Sequence, residues 1–218
     1  MALNIANRKP MSREGGYVTY RTPSRFVAGN AWLTNWLGEH FPPDVDSVWL
    51  SGINVNDEAL AHLSRLTQQE SLVLFHPQIT DAGLAQLKPL VSLRRLEVVN
   101  TQVTDAGLRS LNGLPQLRFL SLGGCPITNE GLHQLKGFLT LEVINVHDSQ
   151  VTDGGLEHLR ELPRLAVLGV QNCCITDAGL VHLSAMSNLQ HVFLEGTRVT
   201  DAGVAELEKA LPNALVHR

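Results

Sequence analysis

A solenoid built by stacking one short strand and one short helix per coil is the α/β fold this sequence predicts, and three observations carry the prediction. A block reading Ile/Val, Thr, Asp, Ala, Gly, Leu returns every 24 residues, with its acidic position at Asp57, Asp81, Asp105, Asn129, Asp153, Asp177 and Asp201. Self-similarity at a fixed period of roughly 20 to 50 residues marks repeat architectures, in which each unit buries its apolar face only against its neighbours. Within each block the apolar spacing changes from every third residue to every second, as a helical stretch gives way to a half-buried strand. The repeat also runs from about residue 50 to the end of the 218 residues, which leaves no room for an independent second core.

The unit from Asp81 to Thr104 shows how each element arises. Thr80 and Asp81 open a helix, one residue capping free backbone amides while the carboxylate sits at the positive end of the dipole. Asn129 replaces Asp in its own coil and is expected to keep the cap. Gly83, Gly107, Gly131, Gly155, Gly179 and Gly203 recur inside the first turn, where glycine weakens a helix, so close approach of neighbouring coils is the expected compensation. Leu84, Leu87 and Leu90 follow at intervals of three, as in a tight helical turn, and Gly or Pro (Gly113, Pro115, Pro163) turns the chain toward the next strand. Leu96 and Val98 are the period-2 pair of that strand. Thr101 closes it, and its column continues as Cys125, Ser149, Cys173 and Thr197, small side chains suited to turning inward and bonding loop amides.

These residues resemble the leucine-rich repeat family, whose L-x-x-L-x-L-x-x-N/C-x-L pattern is met at Leu117 to Ile127, Leu141 to Val151 and Leu165 to Ile175. In detail they look like the bacterial class with a V-T-D-A-G-L signature. The resemblance implies a right-handed horseshoe with a parallel β-sheet on the concave face and short helices on the convex face. Gln69 in place of the strand-opening Leu, and Pro77 in place of the Thr/Cys residue, predict an irregular first coil.

Residues 1–15 are expected to form a disordered tail and 16–218 a single domain, with an N-terminal cap over 16–50, repeats over 51–203 and a C-terminal cap over 204–218. A solenoid must cover its end coils. Asn30 can cap a short amphipathic helix carrying Trp32, Trp36, Leu37 and Phe41, and Tyr17 and Tyr20 lie on a candidate edge strand. Val204, Leu207, Leu211 and Leu215 form the closing amphipathic piece.

A net charge of -4 argues against general binding of nucleic acid, which needs a basic face. With no signal peptide and no membrane span, the chain reads as cytoplasmic as written, the alternative being a soluble fragment of a longer anchored or exported protein. Cys125 and Cys173 stand two rungs apart, about 10 Å, beyond the reach of a disulfide, and Cys174 is expected at the surface. No cofactor is expected. The histidines of the helix side (His62, His158, His182) lack the closing ligands of a metal site. His147, Asp148 and Ser149 spell a catalytic triad in order, but strand alternation would point neighbours to opposite faces and prevent a relay. Arg94, Arg95 and Arg118 beside Glu70, Glu97 and Glu142 read as inter-coil ion pairs.

What remains is the concave face. Its exposed columns carry apolar residues that an ordinary solvated sheet would not favour, and the candidate protein-binding residues are Trp49, Phe75, Val99, Phe119, Val143, His147, Val167, His191, Phe193 and Glu195. Aromatic anchors with a sparse polar rim suit a non-enzymatic module that grips a protein or peptide. The competing readings are a substrate-recruiting subunit of a ubiquitin-ligase-like assembly, for which residues 1–44 show no adaptor motif, and a structural, self-associating repeat protein whose homodimer uses the concave face or an end cap. No nucleophile, base and oxyanion donor converge in the sequence, so no catalytic residue is assigned.

Overall fold

A computed structural model describes residues 16–20, 45–51, 55–65 and 67–218. Among these, nine strands form one sheet in chain order: β1 (Gly16–Tyr20), β2 (Val45–Ser51), β3 (Ser71–Phe75), β4 (Arg95–Val99), β5 (Phe119–Ser121), β6 (Val143–Asn145), β7 (Val167–Gly169), β8 (His191–Phe193) and β9 (Leu215–His217). β1 runs antiparallel to β2 and the others pair in parallel, each residue beside the one 24 positions further on, as in Leu72, Leu96, Leu120, Ile144, Leu168 and Val192. Among the described residues seven helices alternate with the strands: α1 (Asp57–Leu63), α2 (Asp81–Ala85), α3 (Asp105–Leu108), α4 (Asn129–Gln134), α5 (Asp153–Leu156), α6 (Asp177–Leu183) and α7 (Asp201–Ala210). Leucines at intervals of three show in the backbone, since α3 and α5 pass directly into 3-10 turns at Arg109–Gly113 and Glu157–Glu161. One continuous apolar core fills the space between sheet and helices, with the strand pair of each coil and Leu84, Leu87, Leu90 and their equivalents almost fully buried. The result is an α/β horseshoe.

The aspartate column does more than favour a helix dipole. Asp81 accepts from both the backbone N–H (2.7 Å) and the hydroxyl (2.7 Å) of Thr104, one coil on. Asp57, Asp105, Asp153 and Asp177 do the same for Thr80, Thr128, Thr176 and Thr200. The threonine hydroxyl then accepts from a first-turn amide of its own helix, as Thr104 does from Ala106 at 3.3 Å. Each carboxylate thus staples two coils while its threonine caps the helix. The glycine column follows from this. A Cβ at Gly83 would collide with the Asp57 carboxylate, and one at Gly107 with that of Asp81. The coil of α1 has Ala59 in this column instead.

Asn129 is the informative departure. α4 keeps its cap, with Glu130 N–H donating to Thr128 at 3.2 Å. The loss appears in the next coil. Asn129 accepts from Thr152 N–H at 2.9 Å, but its amide donates to the Thr152 hydroxyl at 2.8 Å, and α5 has no side-chain cap. The oxygen that elsewhere accepts from a cap amide here accepts from asparagine.

At the closing ends of the strands, the Thr/Cys column turns inward. Cys125 Sγ lies 3.2 Å from Thr101 Oγ1 and donates to the Val98 carbonyl at 3.1 Å, and Cys173 bonds Val146 in the same way at 3.3 Å. All three cysteines are free thiols, with Cys125 and Cys173 buried and Cys174 exposed. Burial raises the Cys125 thiol pKa, partly offset by Thr101. One position earlier, Asn100, Gly124, Asp148, Asn172 and Gly196 all have positive φ, between 53° and 72°. The sequence supplies there only residue types that tolerate the left-handed region.

The ends differ from expectation in one respect. Leu207 of α7 and Leu211 just after it close the core, with Val204 packed against it, but Leu215 does not join them. It lies in β9, a further rung of the sheet, and is 59% exposed. Asp201 ends its column without a following threonine and pairs with Arg218. The expected helix of residues 30 to 41 lies outside the described residues, as do residues 1–15. At the irregular first coil, Gln69 takes the Leu position, is buried, donates to the Ser71 carbonyl at 2.8 Å and leaves its own Oε1 without a partner.

Candidate interaction surface

Strand alternation sends every second residue of the sheet to the concave face, so the candidate residues fall into columns set by the register. Phe119, Val143 and Val167 stand side by side on β5, β6 and β7, each partly exposed, and His191 and Leu215 extend their column across β8 and β9. The Arg95 guanidinium lies 3.7 Å from the centre of the Phe119 ring and donates from Nε to Glu97 at 2.8 Å, holding cation, ring and carboxylate together at the start of the column. Of the expected inter-coil ion pairs, Arg118–Glu142 forms at 3.0 Å, whereas Arg95 pairs within its own strand.

A second group sits where the sheet ends. Phe193 and His217 stack face to face with ring centroids 4.4 Å apart. His191 and His217 rings are nearly parallel with centroids 5.6 Å apart, yet Nδ1 and Nε2 approach to 3.3 Å, so the imidazoles meet edge to edge through a hydrogen bond. Glu195 is exposed beyond them. His217 and Leu215 were absent from the sequence-based candidates, although they stand 24 residues after Phe193 and His191 and could have been found by carrying the register one rung further.

The remaining column corrects two expectations. Val99, expected exposed, is 7% exposed. Its neighbour on β3 is Phe75, and one rung on Gly123 lets the His147 imidazole lie flat over the sheet, so a short branched side chain is enclosed between larger rings. His147 and Asp148 do meet, with Nδ1 and Oδ2 2.7 Å apart, against the argument from alternation. β6 has already ended at Asn145, and the positive φ of Asp148 (54°) swings its carboxylate back toward the ring. Asp148 also accepts from Asn172 at 2.8 Å, and these bonds, His147 first, lower its pKa below the usual carboxylate range. Ser149 turns inward to Cys173 at 3.4 Å, so no triad assembles. Phe75 and His147 are partly exposed. Trp49 is placed only by register, between Tyr17 of β1 and Val73 of β3.

Among the described residues no group of three or more His, Cys, Asp or Glu could hold a metal ion. No helix among them is long and apolar enough to cross a membrane.

A sheet-lined horseshoe with leucine and other aliphatic residues at the inward positions defines the class, a leucine-rich repeat solenoid, and the comparisons agree. The family model described as Leucine Rich repeat matches residues 114–135. The fold is similar to an internalin from Listeria monocytogenes, with 23% identity and a TM-score of 0.53 over 72% of this chain and 49% of that one. A leucine-rich repeat protein from Leptospira interrogans matches with 21% identity and a TM-score of 0.51, over 72% of this chain and 39% of the other. Internalin C2 from Listeria monocytogenes matches end to end, 99% of each chain, with 22% identity and a TM-score of 0.54. The chain spans less than half the length of the first two. No curated protein matches it. The fold is that of a leucine-rich repeat solenoid, and these structural neighbours are bacterial.

Proposed function

We propose that the chain is a non-enzymatic interaction module that holds a protein or peptide partner against its concave face. The observation that carries the reading is the row Phe119, Val143 and Val167, partly exposed on three adjacent strands at positions where the repeat needs no apolar side chain. A solvated sheet face gains nothing from such residues, whereas clustered aromatic and aliphatic anchors are the usual centre of a protein interface. The Arg95–Phe119 pair and the Phe193–His217 stack give the row a polar, fixed boundary at each end.

The test is quantitative capture from native lysate with the wild type and a Phe119→Asp/Phe193→Asp double variant, with circular dichroism to check that both are folded. Partners held by the wild type should be lost by the variant. A folded variant that keeps every partner overturns the reading.

A further inference from the structure

We infer that the side of the horseshoe where the strands open, lying next to the concave face, is a docking surface for an acidic polypeptide segment that also carries apolar side chains. One position in each coil's turn into the strand is occupied in succession by Val91, Pro115, Leu139 and Pro163. All four are exposed, Val91 at 48% and Leu139 at 58%. The repeat places nothing apolar there by necessity, because the inward positions beside them (Leu93, Leu117, Leu141, Leu165) already fill the core.

Around this row cations outnumber carboxylates, of which Glu70, Glu142 and Glu161 are the nearest. Lys88, Arg94, Arg160 and Arg164 lie on the same side, and among the described residues no carboxylate stands within ion-pair distance of any of them. The nearby carboxylates are already engaged, Glu142 by Arg118 at 3.0 Å and Glu161 by Lys136 at 2.7 Å. On the opposite side, where the strands close, lie the aspartate column, Asp148 and Glu195. The molecule is therefore polarised across its width despite a net charge of -4, and an acidic partner is steered to one side.

The backbone of this side offers little. The Pro115 carbonyl accepts from Thr140 at 3.3 Å and the Pro163 carbonyl from Asn188 at 2.5 Å, so apolar contact and the free cations are what remain for a partner. Two shallow depressions of about 210 and 510 Å³ flank Pro163, the second bounded by Arg164, Val143 and Val167. That depression joins this side to the concave row, although the inference does not rest on the concave reading. A polyphosphate is a poorer fit, because Glu142 and Glu161 interrupt the cations, while a polypeptide can alternate its acidic and apolar positions. Membrane-surface binding is poorly served by a row with no aromatic anchor.

The probe is a phage-displayed library of random dodecapeptides selected on the full chain at low salt. A selected peptide is then synthesised with a fluorescent label and titrated by anisotropy. Selected sequences should be enriched in Asp and Glu beside aliphatic or aromatic residues. Affinity should fall about tenfold or more on Arg94→Glu/Arg164→Glu, both surface changes, and about fivefold on Leu139→Asp. A peptide with Lys in place of its acids should reverse its preference and favour the charge-reversed variant. The inference is overturned if no peptide is selected, if the selected peptides lack acidic enrichment, or if the charge-reversed variant, folded by circular dichroism, binds within twofold of wild type. It is equally overturned if phosphatidylserine vesicles or an oligonucleotide, and not the peptide, bind through these arginines. Loss on Phe119→Asp/Phe193→Asp alone overturns it and leaves the concave reading standing. Loss on the arginine variant alone does the reverse.

Discussion

The two sides of each coil solve different problems with different chemistry. Where the strands close, side chains bond the stack together: aspartate to the threonine of the next coil, threonine to an amide of its own helix, cysteine to a strand carbonyl of the coil before. Positive φ is taken up by Asn, Gly and Asp, and glycine leaves space for the carboxylate. Where the strands open, exposed Val91, Pro115, Leu139 and Pro163 lie beside Arg94, Arg160 and Arg164, which pair with no carboxylate among the described residues. The first side is largely specified by the stack. The second is free to vary, and recognition can be written there. Variants that respect or ignore this division measure how real it is.

The largest contrast comes from one added methyl group. Gly107→Ala on the closing side forces the Asp81 carboxylate off Thr104, and overpacking of this kind costs about 1–3 kcal/mol in urea unfolding. Leu139→Ser on the opening side, a larger chemical change at an exposed position, should stay within about 0.5 kcal/mol. A double-mutant cycle sharpens the result. In an Asp81→Ala background the glycine substitution should cost about 1 kcal/mol less, because the group it collides with is gone. Equal costs in both backgrounds would show that helix geometry, not the aspartate, dictates the glycine.

Legibility in the sequence follows the same division. The repeat, the inward leucines and the inward Thr/Cys column were readable because each depends on local spacing. Capping rules are local and make the aspartate a helix-dipole residue, whereas its bonds reach Thr104, 23 residues on, and exist only once the coils are stacked. The left-handed column at Asn100, Gly124, Asp148, Asn172 and Gly196 carried its own signal in residue type. Strand alternation alone ignores that column and so keeps His147 and Asp148 apart, where the positive φ of Asp148 brings them together. Val99 failed for another reason: exposure in one column depends on the size of neighbours one rung away, and Gly123 allowed His147 to spread. β9 was missed because the last rung departs from the repeat in sequence while keeping it in register.

Asn129 offers a smaller test within the closing side. Asn129→Asp should return the Thr152 hydroxyl to the α5 amides and stabilise the fold by about 0.5–1 kcal/mol, the usual value of an N-terminal cap. Thermal and urea midpoints of the single variant measure it. No gain would mean that the asparagine's own bond to Thr152 is worth as much as the cap it displaces.

The smallest expected effect separates the two sides by salt. Asp177 is held below the ordinary carboxylate range first by the backbone amide and then by the hydroxyl of Thr200, with Arg218 adding a minor part. Glu161, on the other side, is lowered first by its bond to Lys136. Both folded-state values lie below the unfolded ones, so each contribution is fully present above the unfolded pKa of about 4 and is lost as pH falls through the lowered folded value. Asp177→Asn and Glu161→Gln should therefore each flatten the acid limb of a stability-against-pH curve, with the variant meeting wild type at the acid end. In about 1 M salt, where charges are screened beyond about 3 Å, the Glu161 difference should shrink much further than that of Asp177, whose partners are uncharged. Equal screening of both would mean that Arg218, not Thr200, holds the last aspartate staple, and the closing side would then depend on charge as the opening side does.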